Sequence, residues 1–382
     1  MKGITWNHSR ALPPLVATAQ RFEELNPDVR IDWHKRSLHE FGHAGLAELA
    51  RAFDLLVVDH PMMGDASATS SLVDLRTLLT ESEWTDLEED SVGPSFRSYA
   101  YEGKLYALPI DAAAPAASLR PDLLEASGSC EPLRWDEVLE LARRGLVRMP
   151  GFPADLFLNF TGMCVSRGSS MAQGPEMLFD RAIALHCLDE LRELASLMPD
   201  EIYQWNPIAL YERMSSTDEF AYCPFAYTYS NYSRAGFAKR QVRFGPPVAL
   251  HGGSPMRTVL GGTGLAISQS CPIPDIALKY GLYVSGRICQ STLYGLCGGQ
   301  PARLSAWQNA ELNHLTGDFF RRTLDSVKTA VVRPRYPGYV ALQETAGLPI
   351  AEYMREGGDA ELLLDRLDAL YRDSLPKGVR HA

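Results

Sequence analysis

The stretch Val259–Ser268, VLGGTGLAIS, decides how this chain is read. Gly261, Gly262, Thr263 and Gly264 sit between two β-branched or apolar runs. Glycine reaches positive φ and lets other atoms come close. The stretch therefore reads as a strand that enters a cleft, turns tightly, and leaves as a second strand. A Gly-Gly-x-Gly bend also occurs in unrelated α/β sheets, so its meaning depends on its surroundings. Downstream the pattern predicts a helix over Pro274–Ser285, followed by Gln290 and then Gly298-Gly299-Gln300-Pro301.

A length of 382 residues suggests two or three domains. Hydrophobic residues make up 46% of the chain, enough for a full core. The formal net charge of −10 argues against nucleic acid or an anionic membrane as partner, since either needs basic stripes. Apolar runs such as Leu55–Val58 are too short for membrane insertion. Met1-Lys2 leads directly into the strand-like Gly3-Ile4-Thr5-Trp6, with no apolar leader of roughly 7–15 residues. As written, the chain is expected to be cytoplasmic; the alternative is a periplasmic or extracellular protein whose leader was removed. Seven cysteines (130, 164, 187, 223, 271, 289 and 297) form no C-x-x-C pair. They read as reduced core thiols.

Working outward, Leu12, Leu15, Val16, Ala19, Phe22 and Leu25 recur at helical spacing, with Pro13-Pro14 in the first turn and Asn26-Pro27 as the stop. Val29, Ile31 and Trp33 alternate as a strand, and Ser37–Phe53 reads as a helix. Phe53–Asp59 has the continuous apolar character of a strand buried on both faces. This β-α-β-α-β order predicts a parallel sheet. Ser98–Asp111 contains a hairpin-like turn at Glu102-Gly103, and Ala113–Leu119 is a small-residue strand before a helix from Pro121. Phe220–Tyr232 reads as an aromatic strand plus loop. Ala306–Leu375 is mostly helical, with a break at Arg333-Pro334-Arg335-Tyr336-Pro337.

Six motifs in order resemble the extracellular solute-binding proteins of ABC importers, family 1, which includes maltose-type receptors. They are Phe53-Asp54-Leu55-Leu56-Val57-Val58, Tyr101-Glu102-Gly103-Lys104-Leu105-Tyr106-Ala107-Leu108-Pro109, Arg120 with Asp122-Leu123-Leu124, Arg134-Trp135-Asp136-Glu137, the glycine stretch, and Gly298-Gly299-Gln300-Pro301. The resemblance spans nearly the whole chain. It departs from the family at the missing leader and at Thr263, where a tryptophan often stands. It implies a two-lobed α/β fold of the type II periplasmic-binding-protein kind, with a hinge and an inter-lobe cleft. The crossings are expected near Asp111, Pro255 and Ala306, giving residues 1–110 and 256–305 to lobe one and 111–255 and 306–382 to lobe two.

Other patterns in the sequence compete with this one. His39-Glu40-Phe41-Gly42-His43 matches H-E-x-x-H. The extended zinc motif would need glycine at 46 and histidine at 49, where the chain has Leu46 and Leu49. An exposed helix start fits better. His8, Asp59, Tyr227 and Tyr229 offer ferric-ion donors, but the tyrosines are not adjacent, as iron-binding receptors typically have them. Trp6, Trp205, Tyr227, Tyr229 and Tyr232 are candidates for stacking on sugar rings, or else core. Arg10 near a helix N-terminus, or Arg333, would suit a carboxylate or phosphate, or a plain ion pair. There is no Gly-x-Ser-x-Gly elbow and no phosphate loop, and Cys223 and Cys297 read better as inert thiols than as nucleophiles.

The reading is a monomeric solute-binding protein that captures a small polar ligand, with a saccharide as candidate, for an ABC permease. No catalytic residue, metal or cofactor is expected. The expected contacts are Asn7, His8, Ser9, Arg10, Asp59, His60, Asp111, Trp205, Tyr227, Tyr229, Gly262, Thr263 and Gln300. The alternative is a cytosolic sensor or enzyme on the same fold that binds a carboxylate- or phosphate-bearing molecule.

Overall fold

A computed structural model describes residues 1–37, 45–172, 174–250 and 255–376. In chain order its strands are β1 (Lys2–Trp6), β2 (Asp32–Arg36), β3 (Leu55–Val58), β4 (Ala100–Tyr101), β5 (Lys104–Leu105), β6 (Leu108–Ala113), β7 (Pro115–Leu119), β8 (Tyr222–Tyr227), β9 (Arg243–Gly245) and β10 (Gly261–Ile267). The chain divides into two compact units. The first comprises Met1–Ala113, Leu260–Lys328 and Arg335–Pro337; the second comprises Ala114–Val259, Thr329–Pro334 and Gly338–Ala382.

The first unit is built on a five-stranded sheet in the order β2-β1-β3-β10-β6. β1 pairs in parallel with both β2 and β3, as the alternating pattern predicts. β10 returns antiparallel to β3 and to β6, which makes the sheet mixed rather than wholly parallel. Leu55–Val58 is buried on both faces. The helices Leu12–Leu25 and Pro274–Ser285 pack together, with the Phe22 ring edge-on to Tyr280 at 5.3 Å. Pro13 and Pro14 begin the first helix; Asn26 ends it by donating its side-chain amide to the Phe22 carbonyl at 2.8 Å. The second strand starts a few residues later than the alternation suggests, and Trp33 on it lies against Gly3, where a Cβ would come within 2.6 Å of the ring.

The glycine stretch behaves differently from its reading. It is one strand, not two. A bulge falls between Thr263 and Gly264, and Gly262 has φ +103°. A Cβ on Gly262 would stand 2.3 Å from the Asp111 carbonyl oxygen, and one on Gly264 2.7 Å from the Ala107 Cβ. The glycines thus serve close strand approach instead of chain reversal. The real reversal is the β4–β5 hairpin, where Glu102 and Gly103 both take positive φ, as a two-residue turn requires.

The second unit has a three-stranded antiparallel sheet in the order β8-β7-β9, with β7 wholly buried in the middle. Trp135 stacks on Phe225 of β8 at 6.1 Å. Glu137 accepts from the backbone N–H of Leu133 and Arg134, which fixes the start of that helix. The helix Pro153–Ser166 is apolar almost all round and lies against Tyr339–Glu356. Gly347 permits this, since a Cβ there would meet the Pro153 carbonyl oxygen at 2.2 Å.

The first boundary lies at 113/114 where the sequence reading sets Asp111, and the second at 259/260 where it sets Pro255. The third differs more. Residues 306–328 belong to the first unit, because Trp307 donates to the Pro301 carbonyl at 2.6 Å and buries its ring against Phe320 at 5.3 Å. Among the described residues no helix is long and apolar enough to cross a membrane.

Gly262→Ala adds a Cβ at a position with no room and an unfavourable φ. It is expected to cost at least about 2 kcal/mol, read as a lower urea midpoint with an unchanged slope.

Candidate functional site

β1 and β3 run parallel, so both end at the same edge of the first-unit sheet. β10 is antiparallel to β3 and begins at that edge, and β6, antiparallel to β10, ends there. The topology therefore gathers residues distant in sequence. Asn7, His8, Ser9 and Arg10 follow β1; Asp59 and His60 follow β3; Gly262 and Thr263 open β10; and Asp111 pairs in register with Thr263. Gln300 joins them by donating its side-chain amide to the Ala112 carbonyl at 2.8 Å, while its own carbonyl accepts from the Ala112 N–H at 3.1 Å. Strand carboxyl ends are where open α/β sheets bind ligands.

Arg10 and Asp111 form a buried, two-pronged ion pair: Nε donates to Oδ2 at 2.8 Å and the terminal nitrogen to Oδ1. Burial pushes the Asp111 carboxyl up, and the Arg10 guanidinium opposes that shift. The Arg10 backbone N–H donates to His8 Nδ1 at 2.9 Å. That bond makes Nδ1 an acceptor and favours the neutral ring with its proton on Nε2. Burial, followed by the nearby Arg10 charge, lowers the His8 pKa to about 4. The expectation of Arg10 as an open anion-binding group is thereby corrected: its fork is engaged by a carboxylate of its own chain.

Asp59 Oδ1 accepts from the His60 N–H at 2.8 Å and caps the turn His60–Met62, leaving the acid partly exposed. His60 is fully buried, with Nδ1 3.2 Å from the same oxygen and its ring edge-on to Tyr99 at 6.3 Å. It is a core histidine rather than a surface contact. The Thr263 hydroxyl is buried with no hydrogen-bond partner among the described residues, an arrangement that ordinarily costs about 1–3 kcal/mol unless a partner arrives.

In the second unit, Trp205 is buried, stacked on Phe220 at 6.1 Å with the Arg213 guanidinium 5.3 Å from its ring. Tyr229 is buried against Tyr211 at 6.2 Å. Both serve packing. Tyr232 is also buried, its hydroxyl donating to Glu212 at 2.7 Å. Tyr227, the last residue of β8, is the more accessible of the candidate tyrosines. Arg333 is buried and donates to Gln343 Oε1 at 3.0 Å. Sequence reasoning passed over Asp155, a half-buried acid in the first turn of Pro153–Ser166, whose pKa desolvation raises to about 7. Acids are so common in first turns that only its partial shielding from water distinguishes this one. Burial also pushes the Cys223 thiol up to about 12, which is no setting for a nucleophile. His39, Glu40 and His43 lie outside the described residues. Among those described, no group of three His, Cys, Asp or Glu is placed to hold a metal ion.

Asp111→Asn leaves the Arg10 charge buried and half-answered, and a loss of about 3–5 kcal/mol is expected in urea unfolding. For His8 the folded pKa lies below the unfolded value of 6.5. The unfolded chain therefore binds the extra proton first, and stability falls as pH drops from 6.5 towards 4, by no more than about 3 kcal/mol. His8→Gln should flatten that slope in melts taken across this range.

No family model and no curated protein matches the chain. Solved structures do. Maltose-bound MalE3 of T. maritima aligns with TM-score 0.85 and 18% identity over 98% of this chain and 99% of that one. A solute-binding protein of Agrobacterium radiobacter K84 in complex with ribitol gives 0.81 and 16%, covering 98% of each chain. An ABC substrate-binding protein of Listeria monocytogenes in complex with cycloalternan gives 0.82 and 12%, again covering 98% of each. Likeness of this extent at such low identity is a likeness of architecture, and it gives the chain the type II periplasmic-binding-protein fold implied by its ordered motifs.

Proposed function

We propose that this chain is a solute receptor which binds a small polyhydroxylated molecule, a saccharide or polyol, and delivers it to an ABC permease. The observation that carries the reading is the likeness along the full chain to proteins whose structures hold maltose, ribitol and cycloalternan. The first-unit sheet edge suits that chemistry. Thr263 offers a buried hydroxyl in need of a partner, Asp59 a partly exposed acceptor, and Asn7 an exposed amide. Such groups exchange hydrogen bonds with sugar hydroxyls, which both donate and accept. The alternative, a sensor or enzyme for a carboxylate or phosphate, loses its principal group because Arg10 is already paired.

A thermal-shift panel of maltose, maltotetraose, ribitol, mannitol, citrate and inorganic phosphate tests the reading. A ligand at a hundredfold excess over its Kd stabilises by about 2.7 kcal/mol, which is several degrees. A neutral sugar or polyol is expected to score, and Asp59→Ala or Thr263→Val to weaken that ligand at least about tenfold, roughly the worth of one good hydrogen bond. A response to citrate or phosphate alone would favour the alternative. Cell fractionation of the native gene product then tests the handover, which requires the protein to face the permease from outside.

A further inference from the structure

The bulge leaves one residue of β6 over. The register passes from Asp111 opposite Thr263 to Pro109 opposite Gly264, so Ile110 between them faces no residue of β10. Bulges re-aim a neighbouring side chain, but their extra backbone groups must be satisfied elsewhere. Gln290 does this for Ile110. It is completely buried, where the helical turn Arg287–Cys289 widens into a π turn over Gln290–Tyr294. Its Nε2 donates to the Ile110 carbonyl at 3.1 Å and to the Val284 carbonyl at 2.9 Å, and its Oε1 accepts from the Ala302 N–H at 2.7 Å. Both hydrogens and the oxygen of one carboxamide are thus spent on three separate pieces of chain: the bulge, the end of the helix Pro274–Ser285, and the segment after Gln300. That segment lies along β6, where Gln300 holds Ala112 and Pro301 bridges to Asp111. Asp111, beside the bulge, holds Arg10, and the Arg10 backbone holds His8.

We infer that Gln290 is a positioning residue for the ligand edge of the first unit: it ties the β6 bulge at Ile110 to the segment after Gln300, and so keeps Asp111 on Arg10 and the His8 turn in place. Its effect on a ligand rests on the receptor reading above; its effect on His8 does not. Methionine at 290 would fill the space and make none of the three hydrogen bonds, leaving two buried carbonyls and one buried N–H unanswered. β6 then loses what holds its extra residue at 110, and a slip towards regular pairing turns Asp111 away from Arg10. Glutamate is the finer probe. Ionised, it sets an oxygen against two carbonyls; protonated, it donates to one of them and still accepts from Ala302. Burial and the two carbonyls both favour the protonated form, so lowering the pH restores the link.

The test uses the full chain. The His8 ring nitrogens are followed by NMR, assigned with His8→Gln, and the binding of ribitol and of maltose by calorimetry. In Gln290→Met, His8 is expected to lose its single Nε2–H tautomer and to titrate above its native position, and the sugar or polyol that binds the native protein to weaken at least about tenfold. Gln290→Glu is expected to show the same weakening near pH 8 and at most about a threefold one near pH 5.5, each against the native protein at that pH. Leu87→Ala, a core truncation elsewhere in the unit, should lower stability and leave both readouts native. Native His8 behaviour and affinity in Gln290→Met would overturn the assignment. So would equal binding by Gln290→Glu at both pH values, or a Leu87→Ala protein that shifts His8 as Gln290→Met does. If Gln290→Met does not fold, Gln290→Glu prepared near pH 5.5 carries the test, and its unfolding near pH 8 would make Gln290 a core residue only and overturn the assignment. If the native protein binds neither ribitol nor maltose, the receptor reading fails for these two ligands and the His8 readout alone decides.

Discussion

The pairing of Arg10 with Asp111 organises the first unit. A guanidinium and a carboxylate out of water are tolerable only together, since each would carry a penalty of several kcal/mol alone. Their joining fixes the turn after β1 to β6, across a sequence separation of 101 positions. The same turn then orients His8 through the Arg10 backbone, and the burial that makes the pair worthwhile keeps the His8 ring neutral. One electrostatic requirement thus sets backbone path, tautomer and charge at the sheet edge.

How far this was legible in the sequence depends on the range of the forces involved. The helix Pro274–Ser285 matches its sequence reading at both ends because its punctuation is local: proline at the start and Gly286 after the finish. The Glu102-Gly103 hairpin is equally local, since two residues of positive φ suffice. VLGGTGLAIS misled because glycine has two uses. Composition shows only that the backbone is unrestricted, and whether it turns or accepts a close neighbour depends on Asp111 and Ala107 far upstream.

The site divides the same way. Strand-end placement brought Asn7, His8, Asp59 and Thr263 to one edge, because topology follows from pattern. Partnerships did not follow. Arg10 reads as available until Asp111 is seen against it, His60 as a ligand until its burial is seen, and Trp205 as a stacking platform until Phe220 and Arg213 are found on it. Asp155 escaped notice for the converse reason, that nothing in its neighbours along the chain reveals how far packing shields it from water.

The strand order β2-β1-β3-β10-β6 has a consequence for synthesis. As the chain leaves the ribosome, β1, β2 and β3 can pair at once, but among the described residues β6 has β10 as its only strand neighbour. The residues separating them, 114–260, belong almost wholly to the second unit. A nascent chain must therefore hold the apolar Leu108–Ala113 segment unpaired while most of another unit emerges. Chaperone demand should accordingly peak between the birth of β6 and the birth of β10.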